Sequence, residues 1–345
     1  MTVGADVIDP RRKLIVAVGS ALVDILTHED EQFLATTGAE KGGMLYVDKE
    51  FIEQILARSS SRPQIVPGGS ACNTAVGIGM LGGSARFMGK CGNGVMGNFF
   101  IDDLRKHHVD PALLRSDSPT GRVLSIITPD AQRSMFTYLG ASAETRPEEI
   151  CRPHLEEAAV VHIEGYLLFK PDLILTALKA AKAAGAVVSL DLASFTVVRE
   201  SRAFLEDIVH SYVDILLANE DEALAFTGQP DARLAIAVMA EAAPIAVLKL
   251  GRRGSLIGHN GSVLAVRAMG DGRAVDTTGA GDLWASGFLF GLVQGFALSQ
   301  CGELASACGY EVCQVIGTKI PETGWQRIQA LLRQQGRIKW RESRK

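Results

Sequence analysis

Between residues 160 and 218, strand-like and helix-like runs alternate. Val160 to Glu164, Val187 to Asp191 and Ile215 to Ala218 read as strands, with Leu173 to Ala184 and Glu200 to His210 as helices between them. Strand, helix, strand in succession packs as a right-handed βαβ unit, so the strands lie parallel with helices over both faces. Leu14 to Gly19 adds another short, continuously apolar run of the kind buried on both faces of a sheet. A chain of 345 residues, 47% of them hydrophobic, can bury a large core. No Pro/Ser-rich linker or charge block divides it. The expectation is one α/β domain over residues 1–345, a three-layer α/β/α body on a mostly parallel central sheet.

Several function classes are disfavoured. The net charge is −4 with both signs interspersed, which suggests no nucleic-acid or polyanion surface. The one positive cluster, Arg337 to Lys345, reads as a solvated end. The first residues lack the charged-then-apolar order of a signal peptide, and no apolar run reaches the roughly 18 residues of a spanning helix. A cytoplasmic protein that does not enter membranes is expected. Six cysteines (72, 91, 151, 301, 308, 313) form no Cys-x-x-Cys pair and read as core thiols. The seven histidines show no metal-ligand spacing, and His107-His108 ends a helical pattern where a cation is welcome.

Thr120 to Ser142 breaks the βα alternation. Val123 to Thr128 and Met135 to Tyr138 flank Pro129-Asp130-Ala131-Gln132-Arg133, a hairpin signature. With the run Met44 to Val47 it predicts a small β-sheet inserted at about 36–48 and 120–142, placed to cover a site as a lid. Arg133 would then either reach a phosphate or stand in solvent.

The chemistry concentrates in Asp276-Thr277-Thr278-Gly279-Ala280-Gly281-Asp282, which runs into an apolar helix from Asp282 to Phe296. Small residues at a helix start leave N–H donors open to an anion. A carboxylate beside an anion is useful if a substrate hydroxyl loses its proton to Asp282 while attacking a phosphoryl group held by the Gly279, Ala280 and Gly281 amides. The alternative is an ordinary helix cap with Asp in the first turn. Asp24 follows the first strand, where ligands collect in open α/β sheets, or else caps a turn. Gly68-Gly69 allow close backbone approach, and Asn73 one turn into the next helix offers a donor and an acceptor. Asn219 and Glu222 at the end of a strand suit a hydrated magnesium ion held by few protein groups, or an acidic N-cap. Ile245 to Ser255 reads as strand, glycine turn, strand, able to pass beneath a nucleotide. Gly92-Asn93-Gly94-Val95-Met96-Gly97 matches Gly-x-Gly-x-x-Gly but lies outside the opening βα unit, so dinucleotide binding is disfavoured; a Walker A loop is absent.

Gly19 with Asp24, Gly68-Gly69 with Asn73, Asn219 with Glu222, Lys249-x-Gly251-x-x-Gly254 and the Asp276 to Asp282 string fall in the order of the ribokinase and PfkB-type carbohydrate kinases, which the chain resembles over nearly its whole length. The resemblance implies a Rossmann-like, ribokinase-like body with a β-sheet lid and ATP-dependent phosphorylation of a primary hydroxyl. It assigns Asp282 as general base and Gly279, Ala280 and Gly281 as anion hole. Asp24, Gly68, Gly69 and Asn73 fall to the substrate, with Arg133 and Tyr166 beside them. Asn219 and Glu222 fall to magnesium and phosphate, and Lys249, Gly251, Gly254 and Thr278 to the nucleotide. Asp276 and Thr278 match a loop that binds a monovalent cation, K+, in some members. Ile163 to Leu167, Lys41 to Met44 and Tyr138 to Ser142 resemble the adenosine-kinase-like branch, and Ser70 stands where ribokinase typically has Lys. Tyr166 or Phe136 would stack on a base. The expected substrate is adenosine at its 5'-hydroxyl, with ribose, fructose or a keto-sugar acid as the alternative and a non-catalytic ligand sensor behind both. A homodimer through the lid sheet is compatible with the sequence, as is a monomer.

Overall fold

The computed structural model of the chain describes residues 8–130 and 132–334. The basic run Arg337 to Lys345, the first seven residues and Ala131 of the hairpin turn lie outside the described residues.

Among the described residues, fourteen strands form two sheets. The larger has nine, in the order β14 (Ser262–Val266), β13 (Ser255–His259), β12 (Ile245–Lys249), β11 (Ile215–Asn219), β10 (Val187–Asp191), β9 (Ala158–Glu164), β1 (Leu14–Val18), β5 (Ser84–Gly92) and β6 (Val109–Ser116). All neighbours from β12 to β6 are parallel, and only β12–β13 and β13–β14 are antiparallel. Side chains alternate along a strand, and β1 shows what that does here. Ile15 and Ala17 enter one hydrophobic core, with the helices Ser70–Met80, Ala280–Val293 and Leu298–Val312. Leu14, Val16 and Val18 enter a second core on the opposite face, with the helices Pro171–Ala183, Phe195–Tyr212 and Ala232–Ala242. The expected α/β/α layering follows from these two cores.

The smaller sheet has the order β3 (Met44–Tyr46), β8 (Arg133–Gly140), β7 (Thr120–Ile127), β2 (Leu22–His28) and β4 (Gln64–Gly68). The two predicted insertions supply β3, β7 and β8. The sequence reading missed β2 and β4, so Asp24 sits inside a strand of the smaller sheet rather than in a turn after β1. Ile25, Leu124, Ile126 and Phe136 pack on Ile52 and Ile55 of the helix Lys49–Arg58, a third core. Phe136 is fully buried there, its ring 5.4 Å from that of Phe51, which removes it as a base-stacking residue. The opposite face of the same strands carries Leu22, Asp24, Val123, Arg133, Met135, Thr137 and Leu139 toward a cavity.

Cys72, Cys91, Cys301 and Cys308 are buried, and His107 closes the helix Val95–Lys106 with Nδ1 2.7 Å from the Asp103 carbonyl. Gly92 to Gly97 does not line the cavity. No described helix is long and apolar enough to cross a membrane.

Candidate active site

A cavity of about 630 Å³ lies between the smaller sheet and the carboxyl ends of the parallel strands. Asp282, Asp24, Asn73, Arg133, Tyr166, Asn219, Glu222, Lys249, Gly251 and Gly254 all line it. Groups spread over most of the chain are brought together because open α/β sheets bind ligands at this edge.

Asp282 stands in the first turn of the helix Ala280–Val293, which has no side-chain cap and begins at Gly279 with φ 72°. A left-handed residue there turns the chain sharply enough to aim the helix start into the cavity. The Asp282 carboxylate accepts from Ser70 Oγ at 2.8 Å and from Asn73 Nδ2 at 2.9 Å, both on the helix Ser70–Met80. Burial raises its pKa, and the Asn73 and Ser70 hydrogen bonds lower it. Of the three expected anion-hole amides, that of Ala280 already donates to the Thr277 carbonyl at 3.1 Å. Gly279 and Gly281 line the cavity.

Asp24 faces the same space, its carboxyl pushed up to about 7 by burial, while nearby Arg133 pulls it down and Asp282 pushes it further up. Gly68 does not line the cavity. Its service is steric, since a side chain there would strike the Asp24 carboxylate. Gly69 does line it and caps the helix that carries Ser70 and Asn73.

At the far end, β10, β11 and β12 finish side by side on Asp191, Asn219 and Lys249. Asn219 and Glu222 form a reciprocal cap: Asn219 Oδ1 accepts from the Glu222 amide, while the Glu222 carboxylate accepts from the Asn219 amide at 2.8 Å and Nδ2 at 2.7 Å. Burial pushes Glu222 up to about 7, with Lys249 pulling the other way. The cap and the expected metal role meet in one pair, because a carboxylate has lone pairs beyond the two engaged here. Among the described residues no group of three or more His, Cys, Asp or Glu could hold a metal. A magnesium ion here fits only as a hydrated one carried mainly by phosphate oxygens.

One expectation on the Asp276 loop changes. Thr278 is buried and does not line the cavity; its amide and hydroxyl both donate to Asp276 Oδ1, at 2.9 and 2.7 Å. Thr277 is the threonine exposed to the cavity. Asp276 Oδ2 accepts from the Gly317 amide at 2.8 Å, so this carboxylate ties two loops together. Tyr166 lines the cavity with its hydroxyl 3.4 Å from the Ala193 carbonyl, and burial raises its pKa.

Ser70, Glu164, Asp191 and Tyr46 are among the lining residues to which the sequence assigns no role. Ser70 directly follows the double glycine. Glu164 ends β9, accepts from the Ser20 and Ala71 amides at 2.8 and 3.1 Å, and is pushed up to about 7 by burial. Asp191 ends β10 and pairs with Lys249. The rule that placed Asn219, ligands beyond strand ends, points equally to Glu164 and Asp191. Tyr46 on β3 packs edge-on against Phe169 with ring centres 5.5 Å apart, and no sequence motif marks it.

A buried carboxylate at an uncapped helix start, a covering sheet and an edge of polar groups are the parts that a kinase acting on an alcohol would use. Residues 43–324 match the pfkB family carbohydrate kinase model, and the chain belongs to that family. The fold is shared with a probable sugar kinase protein from Rhizobium etli CFN 42, 34% identical, TM-score 0.88, over 95% of this chain and 99% of that one. It is shared equally with the adenosine kinase from Sinorhizobium meliloti, 33% identical, TM-score 0.86, over 94% and 99%. A 5-dehydro-2-deoxygluconokinase from Geobacillus thermodenitrificans (strain NG80-2) is 27% identical over 256 residues, 70% of this chain and 76% of its own. Membership implies ATP as phosphoryl donor, typically with Mg2+.

Proposed function

We propose that the chain transfers the γ-phosphoryl group of ATP to the 5'-hydroxyl of a nucleoside, adenosine first. The observation that carries the nucleoside reading is the wall of the cavity around Asp24: Leu22, Met44, Tyr46, Val123, Met135, Leu139 and Tyr166. A bare sugar presents hydroxyls on every side and gains little from such a surface, whereas a flat base gains burial and an aromatic face. Asp24 and Asn73 then hold ribose hydroxyls. The likeness to the Sinorhizobium meliloti adenosine kinase adds support. One feature favours a keto-sugar acid instead: Arg133 on the same wall supplies a cation for a carboxylate.

In this reading Asp282 takes the proton of the incoming hydroxyl, and its raised pKa matches it to that task. The Gly279 and Gly281 amides receive charge as the phosphoryl group moves. Asn219 and Glu222 stand where a hydrated Mg2+ on the triphosphate would be oriented, and that ion supplies charge neutralisation. The smaller sheet excludes water when it closes. A K+ ion would use the paired loops at Asp276 and Gly317, whose tie through the Asp276 carboxylate it would reinforce. An ADP-release screen over adenosine, inosine, guanosine, ribose, fructose and 2-keto-3-deoxygluconate, with and without K+, tests the reading. Turnover highest with adenosine supports it, and turnover confined to the keto-sugar acid overturns it.

A further inference from the structure

Lys249 does more than end a strand. Its ammonium crosses the edge of the sheet to Asp191, Nζ to Oδ2 2.7 Å, with 13% and 6% of the two side chains exposed. Asp191 is itself fixed, since Oδ1 accepts from the Ala193 amide at 3.1 Å. Among the described residues Asp191 is the sole hydrogen-bond acceptor of this ammonium. An ammonium has three protons, so two remain for something else inside the cavity that Lys249 lines.

What they face is set by the catalytic loop. A Cβ added at Gly281 would lie 3.1 Å from Nζ. Gly281 is not among the residues with positive φ, so its backbone does not demand glycine. The missing side chain instead keeps open the gap between the Lys249 ammonium and the helix start. Lys249 also feels Glu222 and Asp282 electrostatically. A positive charge is thus held among three carboxylates, at the point where a phosphoryl group would meet the Gly279 to Gly281 loop. A buried ion pair whose only task was stability would be a poor investment of desolvation. One with free donors turned to an anion site has a use.

The geometry points to Lys249 as a group that contacts the transferring phosphoryl, with Asp191 as its positioning residue. This rests on the kinase reading above. During transfer the acceptor oxygen forms its bond to phosphorus, the bond from phosphorus to the ADP oxygen breaks with its electron pair staying on ADP, and the hydroxyl proton goes to Asp282. The ammonium keeps all three protons and follows the γ-phosphoryl oxygens through its two free donors.

The test is calorimetric titration of Mg-ADP and of the β,γ-imido analogue of Mg-ATP into wild type, Lys249→Met, Lys249→Gln and Asp191→Asn, beside steady-state kinetics. Thermal melting selects whichever Lys249 variant is folded. In that variant the ADP affinity stays within about threefold, while the preference for the analogue falls by about tenfold or more, the worth of one charged hydrogen bond. Asp191→Asn lowers kcat by about tenfold with ADP affinity and KM for the acceptor kept, and Asp191→Glu recovers part of the loss. A Lys249 variant that keeps both the preference and kcat overturns the proposal even if wild type phosphorylates adenosine. If no acceptor in the screen is phosphorylated yet the preference still depends on Lys249, the acceptor reading fails and this assignment stands.

Discussion

Asn73 and Asp282 are 209 residues apart in the chain and share a 2.9 Å hydrogen bond from Nδ2 to Oδ2. It joins the first turns of two helices, Ser70–Met80 and Ala280–Val293, that pack in one core. With Ser70 on the other oxygen, the Asp282 carboxylate is fixed in direction. Asp282→Asn should therefore remove turnover by at least about a thousandfold, near the upper range for a positioned base. Donor affinity should survive. Burst and steady-state assays with calorimetry on the same preparation measure both, and substantial residual phosphorylation would contradict the base assignment.

The same two hydrogen bonds hold the Asp282 pKa down against burial. Ser70→Ala removes one of them, so the carboxyl becomes easier to protonate. A base must be ionised to act, and the acid limb of kcat/KM against pH should move to higher pH. An unmoved acid limb would show that Ser70 does not tune the base.

Much of this was legible in the chain. The βα alternation from Val160 to Ala218 gave the parallel sheet because strands buried on both faces read as unbroken apolar runs. The hairpin was visible through its turn at Pro129 to Arg133. The strands Leu22–His28 and Gln64–Gly68 were not, because their partners are distant: Leu22 pairs with both Gly68 and Gly121. Pairing across such separations leaves no local periodicity. Asp24 was found for its place near Gly19, yet its environment depends on those unread strands. Two adjacent threonines are equivalent in a motif, and only the hydrogen bonds to Asp276 show that Thr278 is the one that turns inward.

Gly68 gives a steric prediction. An added methyl would collide with the Asp24 carboxylate, while the β4–β2 ladder itself tolerates alanine. Gly68→Ala should raise KM for the acceptor by about tenfold or more through misplacement of one hydroxyl contact, with donor affinity kept. Unchanged acceptor KM in a folded variant would remove Asp24 from the substrate site.

Closure of the smaller sheet can be read by hydrogen exchange. Met44, Val123, Met135 and Thr137 open onto the cavity, so β3, β7 and β8 should gain protection when acceptor and an ATP analogue are both present. Either ligand alone should protect less. Identical exchange in all four conditions would mean that the sheet is a fixed wall.

Glu164 carries a pH effect on stability. Burial pushes its carboxyl up to about 7 from the ordinary 4.5, even though the Ser20 and Ala71 amides donate to it. A carboxyl with a raised folded-state pKa holds its proton more tightly folded than unfolded. Its contribution is fully present below about pH 4.5 and is lost as pH climbs through about 7. Asp24 and Glu222, also pushed up to about 7, act in the same direction. The Tm of the unliganded protein should therefore fall between pH 5 and 8 by roughly a few degrees. Glu164→Gln mimics the protonated side chain at every pH, so the variant should melt with a shallower slope over that window. A Glu164→Gln slope as steep as that of wild type would show that the buried carboxylate is not what titrates.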